Sequence, residues 1–400
     1  MKKYSGLIIL ILLPLMANAQ GFWLRYAKTQ PKEFVDTVYE RKEAEREAKK
    51  VRFIYDVDFD SYFDNREYYE LGDHCQIPQT LFSFRLSPTV GVRVKDRIGG
   101  SHKFIAGVRY TQPLGGEWRN AKVDPTAYYH FSNYGVNLQL GAIPYENRIL
   151  SMPDWLQYDS IAYARPNIQG ALITYQDKRG FAEFMCDWRS ALDWHRREMF
   201  RILFDGQYQH KWFFVGGLVH MNHTACSADP ELHEKESLYD DINFGAHVGF
   251  DLTRLTPLDS LALKATYIYG IARDRKNGDK YQPQGVLIEL YANWWFLGLK
   301  NTTYVGDNLQ PLRNADNLGT PIGSLMCQGD PFYQATFYNR TDIFAYLYRS
   351  SFVNCYMSWN MHYDNITKRL QHQQQLIVRF SLDGLVHDKR GAYLRGMFDK

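Results

Sequence analysis

Charged side chains of both signs recur at every second position through much of this 400-residue sequence. Along 51–60, Arg52, Asp56, Asp58 and Asp60 share one face of an extended chain, while Val51, Phe53, Tyr55, Val57 and Phe59 share the other. The equivalent polar face of later segments carries Arg85, Arg93, Lys103 and Arg109, then Glu183, Asp187, Arg201 and Asp205. Asp251, Lys264, Glu289, Arg340, Asp342 and Arg379 continue it toward the C-terminus. Charges that are barred from lipid must line water or pair across strands. Two lumens fit: a hydrated pore with little charge preference, or a salt-bridged and occluded interior. The width of the ring inferred below favours the pore, and these residues are its expected lining.

Other candidate chemistry is sparse. Asp56, Asp58 and Asp60 form an acidic stripe at strand spacing, which suits pairing with Arg85 and Arg93 on the next strand better than a calcium loop. His220 and His223 stand three apart, on opposite faces of a strand, and make a poor metal pair. A lipid hydrolase would need a Ser–His pair near the lipid-facing rim. Ser358 and His362 share a face, but four residues of strand separate them by about 13 Å. No G-x-S-x-G, H-E-x-x-H or phosphate-binding glycine loop occurs. The expectation is therefore no enzyme, with no catalytic, cofactor-binding or metal residues and no cofactor. Trp155, Tyr158 and Tyr163 suit either sugar stacking or an interfacial girdle.

The elements that would position these residues follow from periodicity. Lys2 and Lys3, the apolar run Leu7 to Met16 and the Ala17-Asn18-Ala19 motif read as a signal peptide over 1–19. Residues 20–50, rich in Glu, Lys, Arg and Ala, suit a periplasmic helical leader. From Val51 to about residue 384 the period is two, and a polar tail fills 385–400. About 16 strands are expected, within roughly 14–18. Short connections near 95–101, 132–134 and 177–178 alternate with long ones at 64–79, 144–165, 223–239 and 307–334. All the longest fall on one side, which a soluble sandwich does not require. The loop 307–334 is expected at the surface rather than folded inward. In hydrocarbon an open sheet edge would leave backbone groups unpaired, so the strands should close into an antiparallel transmembrane β-barrel.

Composition agrees. Aromatic residues make up 16% of the chain while charged residues make up 23%, a mixture that suits strands with one oily and one wet face. A formal charge of +3 argues against a nucleic-acid footprint. Five cysteines allow one bridge among Cys75, Cys226 and Cys327 or none.

The stretches Phe63 to Tyr68, Pro78-Gln79-Thr80, Arg85 to Pro88, Cys186-Asp187-Trp188 and Phe337 to Asp342 resemble an uncharacterised group of Bacteroidetes porin-like outer-membrane proteins. The resemblance implies an outer-membrane barrel of a Gram-negative bacterium and no established substrate. Unlike the wider porin pattern, the last strand near Phe380 is followed by a polar tail. The combined expectation is a porin-like channel passing small polar solutes by diffusion. The alternative is a non-conducting surface barrel, an adhesin or glycan-uptake partner, with a barrel enzyme the third class. Outer-membrane lipid and the barrel-assembly machinery are the other expected partners.

Overall fold

A computed structural model describes residues 50–69, 74–313, 326–350 and 352–384. The expected signal peptide, the leader up to residue 49 and the polar tail lie outside the described residues. From Arg52 onward the chain runs as successive antiparallel strands joined by turns and longer connections. The first half of the ring comprises β1 (Arg52–Glu67), β2 (Thr80–Lys95), β3 (Ser101–Pro113), β4 (Lys122–Asn133), β5 (Val136–Pro144), β6 (Asn167–Gln176), β7 (Gly180–Ser190) and β8 (Met199–His210). The second half adds β9 (Phe213–Thr224), β10 (Tyr239–Asp251), β11 (Ser260–Asp274), the short β12 (Asp279–Tyr281) and β13 (Gln284–Trp294). It ends with β14 (Leu297–Gly306), β15 (Phe337–Arg349), β16 (Val353–Asp364) and β17 (Leu370–Gly384).

The sheet closes. β17 pairs with β1 from Tyr55↔Gly384 to Glu67↔His372, so each full-length strand has two hydrogen-bonded neighbours. β12 only extends a hairpin on β11, which also pairs directly with β13, leaving sixteen staves in the ring. The expected closed antiparallel barrel of about sixteen strands is what the chain forms.

Side-chain burial is inverted relative to a soluble protein. Phe53, Val90, Phe104, Phe204, Ile288, Trp359 and Leu382 are exposed on the outer face, where hydrocarbon replaces water. Asp60, Arg85, Arg109, Glu183, Arg201 and Arg379 are buried on the inner face. The two rims differ too. At one, Tyr134 and Gly135 both take positive φ, 43° and 81°, which closes a two-residue turn matched to strand twist. At the other lie the long connections 145–166, 225–238 and 307–336. Longer loops mark the extracellular rim of such barrels. Among the described residues no disulfide joins Cys75, Cys186, Cys226, Cys327 or Cys355.

One loop departs from expectation. The described part of 307–334 turns into the barrel: Phe332 is buried and stacks on Tyr338 and His362, at ring separations of 5.1 and 4.9 Å. Aromatic stacking inside the ring outweighs hydration of the segment that carries Phe332 and Tyr333.

Closure is testable through register. Val57 and Leu382 stand directly opposite across the β1–β17 seam. In a variant lacking the native cysteines, Val57→Cys with Leu382→Cys should form a disulfide under mild oxidation, because opposed strand residues lie within bridging range. Failure to cross-link in folded protein would mean the seam is not closed in this register.

Candidate functional site

Inside the ring, the inward charges are taken up by the connection 145–166 and by one another. Asp60 accepts from Arg85 at 2.9 Å and from Arg379 at 2.7 Å. Glu146 on the connection binds Arg109 at 2.7 Å and lies 3.5 Å from Arg85. Arg148 binds Glu183 at 2.6 Å and lies 3.9 Å from Asp205. The Tyr145 hydroxyl donates to Asp187. Arg201 donates to Gln157 at 2.7 Å and to Gln328, so it clamps both inward connections. Asp154 lies 3.4 Å from Arg340, which also binds Asp342 at 2.7 Å, and Lys264 binds Glu289 at 2.5 Å. Asp58 accepts from Ser381, and Asp251 accepts the Thr253 amide.

The acidic stripe only partly meets the basic one. Asp60 opposes Arg85, but Arg93 stands between Arg52 and Lys103 near the periplasmic rim, and Asp56 opposes Thr89. Trp155 and Tyr163 are buried, with Arg85 4.5 Å from the Tyr163 ring centre, so this connection fills the lumen instead of stacking a sugar. Ser358 and His362 are not brought together: Ser358 contacts Gln375, while His362 contacts Tyr338 and Gln373. The inward residues act as a strap. They do not converge on a reaction centre.

The outer wall carries a different arrangement. At the extracellular ends of β7 to β12, Trp188, Phe200, His223, Asp240, Arg273 and Lys280 stand side by side in one row. Alternation turns the first four toward lipid, level with the interface where polar groups are tolerated. His223 Nδ1 meets Asp240 Oδ1 at 2.8 Å, and Arg275 Nε donates to Asp240 Oδ2 at 2.7 Å. Their side chains are largely covered, 16% exposed for His223 and 6% for Asp240, whereas Arg275 is half exposed. A carboxylate on Nδ1 fixes the tautomer with the lone pair on Nε2, and that nitrogen takes no hydrogen bond among the described residues. Phe200 packs against the His223 ring at 4.9 Å, and Trp188 stacks on Phe200 at 5.1 Å. The set has the geometry of a histidine beside an orienting carboxylate, walled by aromatics.

A second polar patch faces lipid at the same rim across the β1–β17 seam. Thr80 donates to Asn65 at 2.7 Å, and Asn65 donates to Glu67 at 3.0 Å and to Gln374 at 2.6 Å. His372 stands opposite Glu67, yet no hydrogen bond joins them and its buried Nδ1 is unpaired. This patch lacks an oriented base.

Comparison with known proteins decides the class. The sequence matches the family described as Lipid A 3'-O-deacylase-type over residues 45–386, most of the chain. The protein belongs to that family. None of the curated proteins matches. Among solved structures, a loop-deletion mutant of OmpT, an outer membrane protein of Vibrio cholerae, is similar with a TM-score of 0.50 at 8% identity, covering 83% of this chain and 99% of its own. A triple mutant of the Rhodopseudomonas blastica porin matches at a TM-score of 0.44 and 11% identity, over 83% and 100% of the two chains. At such identities the likeness concerns the fold alone. Fold and family together place the protein in the outer membrane of a Gram-negative bacterium.

Family membership corrects two expectations from sequence. The porin-like diffusion channel for small polar solutes gives way to an enzyme family, and with it the expectation of no enzymatic activity falls. The physical reason both went astray is the same. Mixed charge on the inward face reads equally as pore lining or as strap, and the row at His223 needs strand register to be seen. A signal did exist: His223 and Asp240 interrupt an apolar parity at strand ends, where the alternation demands oily residues.

The strap is testable through Glu146. Burial alone would raise its carboxyl, but Arg109, with Arg85 and Arg379 beyond it, overrides this and holds it well below the usual carboxylate range. A depressed carboxyl stabilises fully above its unfolded value of about 4.3 and loses that contribution only as pH falls through the depressed one. Glu146→Gln should loosen the connection by about 3–5 kcal/mol, read as faster amide exchange over 145–166 at pH 7. The gap from wild type should persist at pH 4. Equal exchange rates at pH 4 would show that the guanidinium cluster does not hold the carboxylate.

Proposed function

We propose that the protein hydrolyses an ester-linked acyl chain of lipid A in the outer leaflet, at the His223–Asp240–Arg275 relay. The observation that carries this reading is the free Nε2 of a carboxylate-oriented histidine, turned toward lipid at the extracellular rim. A 3'-O-acyl ester lies just beneath the sugar headgroup, which is the depth of this row. A base in the lumen would be screened from the lipid by the barrel wall.

The chemistry then follows from the geometry. His223 Nε2 takes a proton from water as the water oxygen bonds to the acyl carbon. Asp240 stabilises the imidazolium that forms, and Arg275 holds Asp240 in place. Collapse of the tetrahedral intermediate breaks the ester C–O bond, and His223 returns its proton to the departing sugar oxygen. The products are a free fatty acid and a sugar hydroxyl. Arg273 and Lys280, opposite each other on the exposed hairpin, suit the anionic headgroup.

In mixed micelles with lipid A, wild-type protein should release one fatty acid, detected by mass spectrometry as loss of one acyl group. His223→Ala should slow release by about 10²–10⁴-fold, and Asp240→Asn should also impair it, while His372→Ala should leave the rate unchanged. Full activity in His223→Ala, or loss confined to His372→Ala, would move the reaction off this wall.

A further inference from the structure

Below the polar row, the lipid-facing wall of β7 to β10 is hollowed. Ala182, Gly206, Gly217 and Ala246 oppose one another across these four strands, forming a floor with almost no side-chain bulk. Phe204, Val219 and Phe244 stand in the row above, and Tyr267 and Tyr269 of β11 bound the side. The result is a groove of about 540 Å³, backed from the lumen side by Glu183, Asp205, Leu218 and Gly245. Its floor at Gly217 lies six residues from His223 on the same outward face of β9, a separation of roughly 20 Å along the strand. Met221 and Val219 line the intervening path.

We propose that this groove holds the hydrocarbon tail of the acyl chain cleaved at His223, and that the bulkier outward row beneath it, Tyr208, Val215 and Val248, sets the longest tail accepted. The inference rests on the relay being the reaction centre, and it adds what the chain does below the ester. Continuity selects the occupant: the groove runs down the same wall as the relay, in a medium made of acyl chains. In hydrocarbon no water is released on binding, so selection depends on van der Waals fit, and a gap forfeits dispersion contacts. Small residues let a methylene chain approach the backbone, and Phe204 and Phe244 confine it laterally. A tail longer than the groove must bend at Tyr208, Val215 and Val248 and draws its ester away from His223 Nε2.

The test offers full-length protein a mixture of O-acylated glucosamine lipids whose chains differ stepwise in length, and reads released fatty acids by mass spectrometry. Ala246→Leu, which adds bulk to the outward floor, should lower the long-to-short release ratio about tenfold or more. Phe244→Ala, which widens the groove, should shift the ratio toward longer chains and covers the case in which Ala246→Leu does not fold. Unchanged profiles in both variants overturn the groove while leaving hydrolysis at His223 intact. Lipid retained on His223→Ala protein in native mass spectrometry gives a readout independent of turnover. If wild type releases nothing but Ala246→Leu strips long-chain lipid from the barrel, the groove stands and the hydrolytic reading falls. If Ala246→Leu instead abolishes a dimer, a second copy occupies the groove and the proposal is overturned.

Discussion

Hydrocarbon offers no partner to a peptide N–H or C=O, and each unmatched group there costs several kcal/mol. The pairing of β17 with β1 removes the last two edges, and everything else in the molecule is arranged around that ring. Once closed, the ring sorts side chains by parity alone. Odd and even positions of each strand see different solvents, so the chain needs no apolar core of the soluble kind. What it needs is a solution for the polar face that closure turns inward.

The lumen is solved by the loops. A ring of sixteen strands is too wide to be filled by wall side chains alone, and the connection 145–166 enters it bearing Glu146, Arg148 and Asp154 to meet the wall charges. Removing one member of such a buried pair is costly because the other is left unmatched in a low-dielectric interior. That asymmetry explains why the segment stays inside, and why Arg201, with no exposure at all, reaches both Gln157 and Gln328. A chain-filled lumen also fits an enzyme whose substrate never leaves the membrane. Nothing has to pass through the barrel for the outer wall to work.

Much of the fold was legible from residue type because a period of two is a direct trace of a two-faced strand. The alternation along 51–60 identifies the inward and outward sets of β1 without any coordinates, and the one-sided long connections give the polarity of the ring. The candidate site was not legible, for a definite reason. His223 and Asp240 are neighbours only through the β9–β10 register, across a long connection, and Arg275 joins them from beyond β11. Within the sequence His223 has only His220 for company, and those two point to opposite sides of the wall. The Ser358–His362 spacing failed in the opposite way: a shared face is visible in sequence, but that face is the lumen, where each of the two meets other wall residues.

Depth is what separates the His223 row from ordinary wall. A charged side chain on the lipid face is penalised most at the bilayer midplane and little near the interface, so Asp240 is tolerable only at a strand end, where Arg275 compensates it. That is also the level at which the ester of a glycolipid sits, between a headgroup that needs cations and a tail that needs an apolar surface. The wall supplies both, with Arg273 and Lys280 beside the relay in the same row and Met221, Val219 and Phe244 below it. The same gradient that restricts where charge can stand on a barrel therefore restricts where an ester-cleaving base can stand. For a lipid substrate held upright in its leaflet, the two restrictions coincide.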